Sequence, residues 1–331
     1  AWVGGMLLVG LYAVSDFGAV SLMRFPSLSY LVYARYTNPF MRDEATVYAA
    51  ILAALALAVA ITLQATQRRG ASGRLGKPWP PQSLGAASRV AATGAAWAVV
   101  GAFAVLPAAV VGWWFVRGYA AGNTLVDLRG ELAWTVTLGV AAATLATAVA
   151  LVPALLGRVG AWWAVRGVDA AVVSMTALPG VVVGLAFVVM GARVLPVLHH
   201  TVHLLLLAYV LRFLGQAATS LSTGFGPHTT RLHEAARSLG HGPVVGWLRG
   251  VLPAARPAFV AAWLAVFLSV IKELPATLLL RPPGTSTLAV RVWSLTQDAF
   301  FTAASPTVLL LMLLAFAALA LSPIHSGAGR S

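Results

Sequence analysis

Long apolar runs without a single charge constrain this chain more than any other feature. Residues 45–67, 95–116, 132–157, 170–192 and 299–324 contain no Asp, Glu, Lys or Arg. A helix of about 20 such residues crosses a bilayer core. The chain is 60% hydrophobic and 9% charged, with a mean hydropathy of +0.86. Soluble domains are roughly 45–50% apolar and about 25% charged. With 22 Lys/Arg and 9 Asp/Glu, a soluble surface of this size cannot be covered. A soluble enzyme and a disordered chain are excluded. So is a disulfide scaffold, because there is no cysteine. The net charge of +13 fits basic loops beside membrane spans rather than nucleic-acid binding. The expectation is an all-α, polytopic bundle in a lipid bilayer.

About eight spans are expected. Residues 257–271 are short but strongly apolar. Residues 197–214 start with His199, His200 and His203 and end near Arg212. The opening run, 1–15, is incomplete and leads into Asp16 without the basic leader of a signal peptide. Segments 68–94, 158–169, 212–256 and the tail hold 13 Lys/Arg against 9 on the other side, which assigns them to the cytoplasm. Segment 68–94 mixes five basic residues with Gly, Pro and Ser and reads as a flexible cytoplasmic linker.

Residues 1–31 align with 258–288 at a constant offset of 257, with eleven identities. Matched positions include Arg24/Arg281 and Pro26/Pro283, and Asp16 faces Glu273. Six spans separate the copies, so both run in the same direction, as in a direct repeat. The expected organisation is 1–67 as the last two spans of a first repeat, 68–94 as linker, 95–324 as a six-span second repeat, and 325–331 as a cytoplasmic tail. On this reading the chain is the later part of a duplicated six-plus-six protein.

The segment between 212 and 256 carries the most specific pattern. Leu232, Ala235, Ala236 and Leu239 fall on one face of a short helix. Gly240 suits a left-handed stop, Pro243 the first turn of a second helix, and Leu252-Pro253 that helix's end. Glu-Ala-Ala alone is common in any helix. Glu234-Ala235-Ala236, Gly240 six residues after the Glu, and Leu252-Pro253 together resemble the EAA loop of ABC importer permeases. Gly250 departs from that pattern, which usually has a bulky aliphatic residue there. Residues 272–294 and 15–36 resemble the fused ferric-iron permeases.

The resemblance implies the ABC importer permease fold in a bacterial inner membrane. It implies two cytoplasmic ATPase subunits docked on Glu234, Ala235, Ala236, Gly240, Leu252 and Pro253. It further implies an extracytoplasmic solute-binding protein, ferric iron as cargo, and alternating access. Thiamine, polyamine or phosphonate import is the alternative. An ion-driven secondary transporter would need buried acids, and no acid is expected mid-span.

No catalytic residue and no cofactor are expected. The nearest approach to a phosphate-binding loop, Ala71 to Pro78, lacks its first Gly and its Ser/Thr. Lys272 and Glu273 are expected at the outer end of a span. Asp16, Arg24, Glu273 and Arg281 are candidate path or gate residues, the Arg side chains pairing with neighbouring acids; the alternative is that they merely end helices. His199 and His203 would share a helical face, a weak metal candidate with His200, although hard Fe(III) prefers oxygen ligands.

Overall fold

The structure, a computed structural model, describes residues 2–71, 85–122, 126–156, 175, 177–224, 227–240 and 242–321. Among these residues there is no strand. Six helices are long and apolar enough to cross a membrane, at 39–66, 86–120, 129–152, 202–222, 249–271 and 301–320. Two shorter apolar helices, Gly5–Ser15 and Gly180–Arg193, join them. The chain is a multi-pass helical membrane protein.

In chain order the elements are α1 (Trp2–Ser15), α2 (Gly18–Leu22), α3 (Leu28–Thr37) and α4 (Arg42–Ala71). Then come α5 (Ala86–Val100), α6 (Leu106–Ala120), α7 (Arg129–Leu156), α8 (Gly180–Arg193) and α9 (Val202–Gly224). The last are α10 (Pro227–Ser238), α11 (Pro243–Gly246), α12 (Leu252–Ile271), α13 (Pro275–Leu280), α14 (Leu288–Gln297) and α15 (Phe301–Ala320). Helix α5 starts inside the stretch read as linker, whose residues 72–84 lie outside those described. In the 170–192 run a helix is described from Gly180, and residues 157–174 and 176 lie outside those described.

The core is the packing of α7, α9 and α12, where small residues let backbones approach. Ala142, Ala143, Ala146, Ala208, Ala217 and Ala262 are buried in it. A Cβ on Gly224 would stand 2.2 Å from the Cβ of Ala258, so only glycine fits that crossing.

Two π turns share one cause. Gly101–Val105 precedes Leu106-Pro107, and Trp247–Val251 precedes Leu252-Pro253. A proline inside a helix offers no N–H and its ring clashes with the carbonyl four residues earlier. Widening the preceding turn relieves the clash and lets the helix continue. Leu252-Pro253 therefore does not end the second loop helix, as expected above. Residues 243–271 are one continuous helical path.

One order of elements occurs twice along the chain. Helix, break, short helix, ten-residue helix and long helix recur as α1–α4 and as α12–α15. Ser27 caps α3 by accepting from the Tyr30 N–H, and Thr287 caps α14 by accepting from Val290. These caps differ by 260, not 257. The left-handed residues Arg24 (φ 54°) and Gly284 (φ 81°) differ by 260 as well. The ungapped alignment thus holds through the short helices and fails after them. The second copy carries three extra residues, and Arg24 is equivalent to Gly284 rather than to Arg281.

Candidate functional site

The two breaks, 16–17 and 272–274, come together at one cavity of about 580 Å³. Five pairs at the 257 offset line it: Tyr12/Ser269, Ser15/Lys272, Asp16/Glu273, Phe17/Leu274 and Gly18/Pro275. Equivalent positions of the two segments therefore line one and the same cavity. The 260-offset pair Tyr33 and Trp293 also meets, with rings in edge contact at 5.5 Å. Phe17, Leu274 and Val290 form a small core beside it.

Glu273 follows the end of the 249–271 span by two residues, as expected, but it does not meet solvent. It is 7% exposed and faces Arg212, with Arg212 Nε 3.3 Å from Glu273 Oε2. Arg212 lies inside α9, ten residues from one end and twelve from the other, or about 15 and 18 Å at 1.5 Å per residue. The carboxylate is thus at mid-depth in the bundle, where an apolar run was taken to have no acid. Arg212 also leaves the loop set, which keeps 12 Lys/Arg and its basic excess. Asp16 is partly exposed, on the first-copy side of the same cavity.

Among the described residues neither Arg24 nor Arg281 pairs with an acid. Arg24 donates to the Gln297 carbonyl at 2.7 Å, and Arg281 donates to the Thr285 carbonyl at 3.4 Å. Trp293 donates to Ser21 Oγ, and Gln297 to the Ser21 carbonyl. Arg24 thus stitches the copies together, while Arg281 closes its own loop.

The three histidines do not share a helix. Helix α9 begins at Val202, so His199 and His200 lie in the preceding turn, His200 at φ 59°. Their ring centroids are 3.9 Å apart, with the planes tilted by 51°. His199 Nδ1 is buried without a hydrogen-bond partner. Burial, and then the neighbouring His200, hold that imidazole below the ordinary range. Among the described residues no three His, Asp or Glu gather in a metal-binding group.

At the opposite end of α9, the loop folds as a helical hairpin. Helix α10 stops at Gly240, φ 83°, whose N–H closes on the Arg237 carbonyl. Ala236 is buried against the π turn, while Glu234, Ala235 and Leu239 are exposed, so the expected single apolar face is split. A Cβ at Gly250 would stand 3.4 Å from the Leu232 carbonyl oxygen and 3.7 Å from the Ala236 Cβ. Those are ordinary contact distances, so the hairpin leaves room for a methyl group at Gly250.

The chain is similar to the Fe(3+)-transport system permease protein FbpB 2 of Haemophilus influenzae, 25% identical over 319 residues. The match covers 93% of this chain and 62% of that protein. The putative 2-aminoethylphosphonate transport system permease proteins PhnV of Salmonella typhimurium and Salmonella paratyphi A are 32% identical over 123 residues. That match covers 37% of this chain and 46% of each of theirs. The chain is thus similar to transport-system permease proteins along nearly its whole length. No family model matches it. The chain spans about three-fifths of the length of its FbpB 2 relative and under half of the PhnV proteins. Sequence reasoning missed Arg212 as a site residue. Its signal was a lone Arg in an otherwise apolar stretch, a default functional candidate inside a membrane.

Proposed function

We propose that this permease is the membrane-spanning part of an importer that carries ferric iron across a bacterial inner membrane. The observation that carries this reading is the mid-depth cavity between two helix breaks, with Asp16 and Glu273 at equivalent positions. Substrate sites in repeated transporters lie near the midplane, at discontinuous helices between the repeats. Carboxylates offer Fe(III) the hard oxygen ligands it prefers. A solute-binding protein delivers cargo at the end carrying α3 and α14. Two ATPase subunits dock at the α10 hairpin through Glu234, Ala235 and Ala236, shaped by Gly240 and by the Leu252-Pro253 turn. ATP-driven closure of those subunits then alternates the access of the cavity. The resemblance of residues 272–294 to ferric-iron permeases and the FbpB 2 similarity support the cargo.

A second reading, import of a phosphonate-type anion, is favoured by Arg212 and Lys272 in the same cavity and by the PhnV similarity. Uptake by vesicles holding the permease, its ATPase and its binding protein separates the two. Labelled ferric iron should accumulate with ATP, and 2-aminoethylphosphonate should neither accumulate nor compete. The reverse result would replace the cargo. Glu234→Ala and Gly240→Val should abolish ATPase co-purification and transport while leaving membrane insertion intact. Normal ATPase association in both variants would remove the docking assignment.

A further inference from the structure

Tyr209, Arg212 and Gln216 recur at intervals of three and four, so they share one face of α9. That face carries a polar seam through an apolar bundle. Tyr209 Oη and Thr277 Oγ1 are 2.5 Å apart, and Thr277 donates to the Glu273 carbonyl. Gln216 accepts from Ser269 Oγ at 3.0 Å and donates to the Ala265 carbonyl at 3.2 Å. Between these tight contacts lies a loose one. Arg212 Nε faces the Glu273 carboxylate at 3.3 Å but is not aligned to donate to it. Arg212 Nη1 reaches the Leu178 carbonyl only at 3.4 Å, and Glu273 Oε1 receives the Ala276 N–H at 3.3 Å.

Buried charges held for stability alone need close, saturated hydrogen bonding to offset desolvation. This pair has the charges without the saturation. It also closes against bare backbone. A Cβ on Gly180, the first residue of α8, would lie 2.6 Å from Arg212 Nη1 and 2.7 Å from Glu273 Oε1. Three elements thus converge on the pair: the start of α8, the middle of α9, and the break between α12 and α13. The pair also borders the cavity shared with Asp16.

We propose that Arg212 and Glu273 form a latch on the transport path, closed in this conformation and opened when a cationic cargo takes the Glu273 carboxylate. Arg212 is the positioning residue that occupies the carboxylate until then, and Gly180 makes room for the closed state. Opening frees α8, α9 and the α12–α13 break to part, which couples cavity occupancy to the helices that lead to the ATPase hairpin. This inference rests on the path proposed above.

The test measures ATP hydrolysis by the permease reconstituted with its ATPase, without cargo or binding protein. Arg212→Gln should raise that basal rate about tenfold, the size of a typical inter-site coupling. Arg212→Lys keeps the charge and should restore the low rate. Gly180→Ala removes no charge, pushes the pair apart, and should raise the rate as Arg212→Gln does. Glu273→Gln should raise it too and also lose uptake. A merely structural pair would lower the melting temperature of Arg212→Gln with hydrolysis per folded complex unchanged, and that result overturns the latch. If Arg212→Gln fails to fold, a wild-type basal rate in folded Gly180→Ala overturns it equally. A wrong cargo would appear separately, as wild-type vesicles that take up no iron while the basal rates still shift.

Discussion

The two copies of the helix–break–helix unit place the same type of residue at the same point and then treat it in opposite ways. Glu273 is buried, ion-paired and roofed by Gly180. Asp16 is partly exposed and makes no ion pair among the described residues. The repeat supplies the backbone geometry of both breaks. The difference comes from α8 and α9, which pack on the second break and bring Arg212 to it. Duplication fixes where a carboxylate sits, and the surrounding helices fix what state it is in.

The largest expected effect tests that asymmetry. Glu273→Ala strands the buried Arg212 and should cost about 3–5 kcal/mol. Asp16→Ala should stay within about 0.5 kcal/mol, as a partly exposed group does. Thermal unfolding in detergent measures both, and equal losses would break the comparison. Next in size is the replacement of both partners, Arg212→Met with Glu273→Leu. Removing a buried pair together is neutral or stabilising by about 1–4 kcal/mol, so this variant should be stable yet unable to transport. Retained transport would contradict a role for Glu273 in the path.

Smaller effects sharpen the equivalence of the copies. Ser27→Ala and Thr287→Ala each remove the side-chain cap of a ten-residue helix and should cost about 1 kcal/mol apiece. Markedly unequal losses would argue against the 260 offset. The smallest effect is the coupling between Tyr33 and Trp293, expected at upwards of about 0.5 kcal/mol in a double-mutant cycle. Zero coupling would remove the energetic content of that contact.

Much of this was legible in the sequence. The uncharged runs marked the spans because hydrocarbon leaves the backbone no partner but itself. The 257 offset aligned Asp16 with Glu273, and the two line one cavity. Gly240 was readable as a left-handed stop because few other residues adopt that backbone. Other features were hidden for physical reasons. The polar start of α9 and Arg212 inside it shortened the apparent span, so the mid-depth ion pair looked like two loop residues. Its partner is 61 positions away in sequence, and local pattern carries no record of such contacts. Pro253 read as a terminator because a π turn is not visible in sequence. The match of Arg24 with Arg281 and Pro26 with Pro283 hid a three-residue shift that the turns at Arg24 and Gly284 and the caps at Ser27 and Thr287 disclose.

The central claim is that the cavity between the two helix breaks is the route of the cargo. The chain contains no cysteine, so single cysteines at equivalent positions report without background. Ser15→Cys and Lys272→Cys, one from each copy and both lining the cavity, can be labelled with a membrane-impermeant maleimide during the transport cycle. On this account both positions react from one side before ATP binding and lose that access after it. Cargo-loaded binding protein changes both rates together, and labelling either one stops uptake. Labelling that ignores nucleotide and cargo, or uptake that persists after both sites are blocked, would place the route elsewhere.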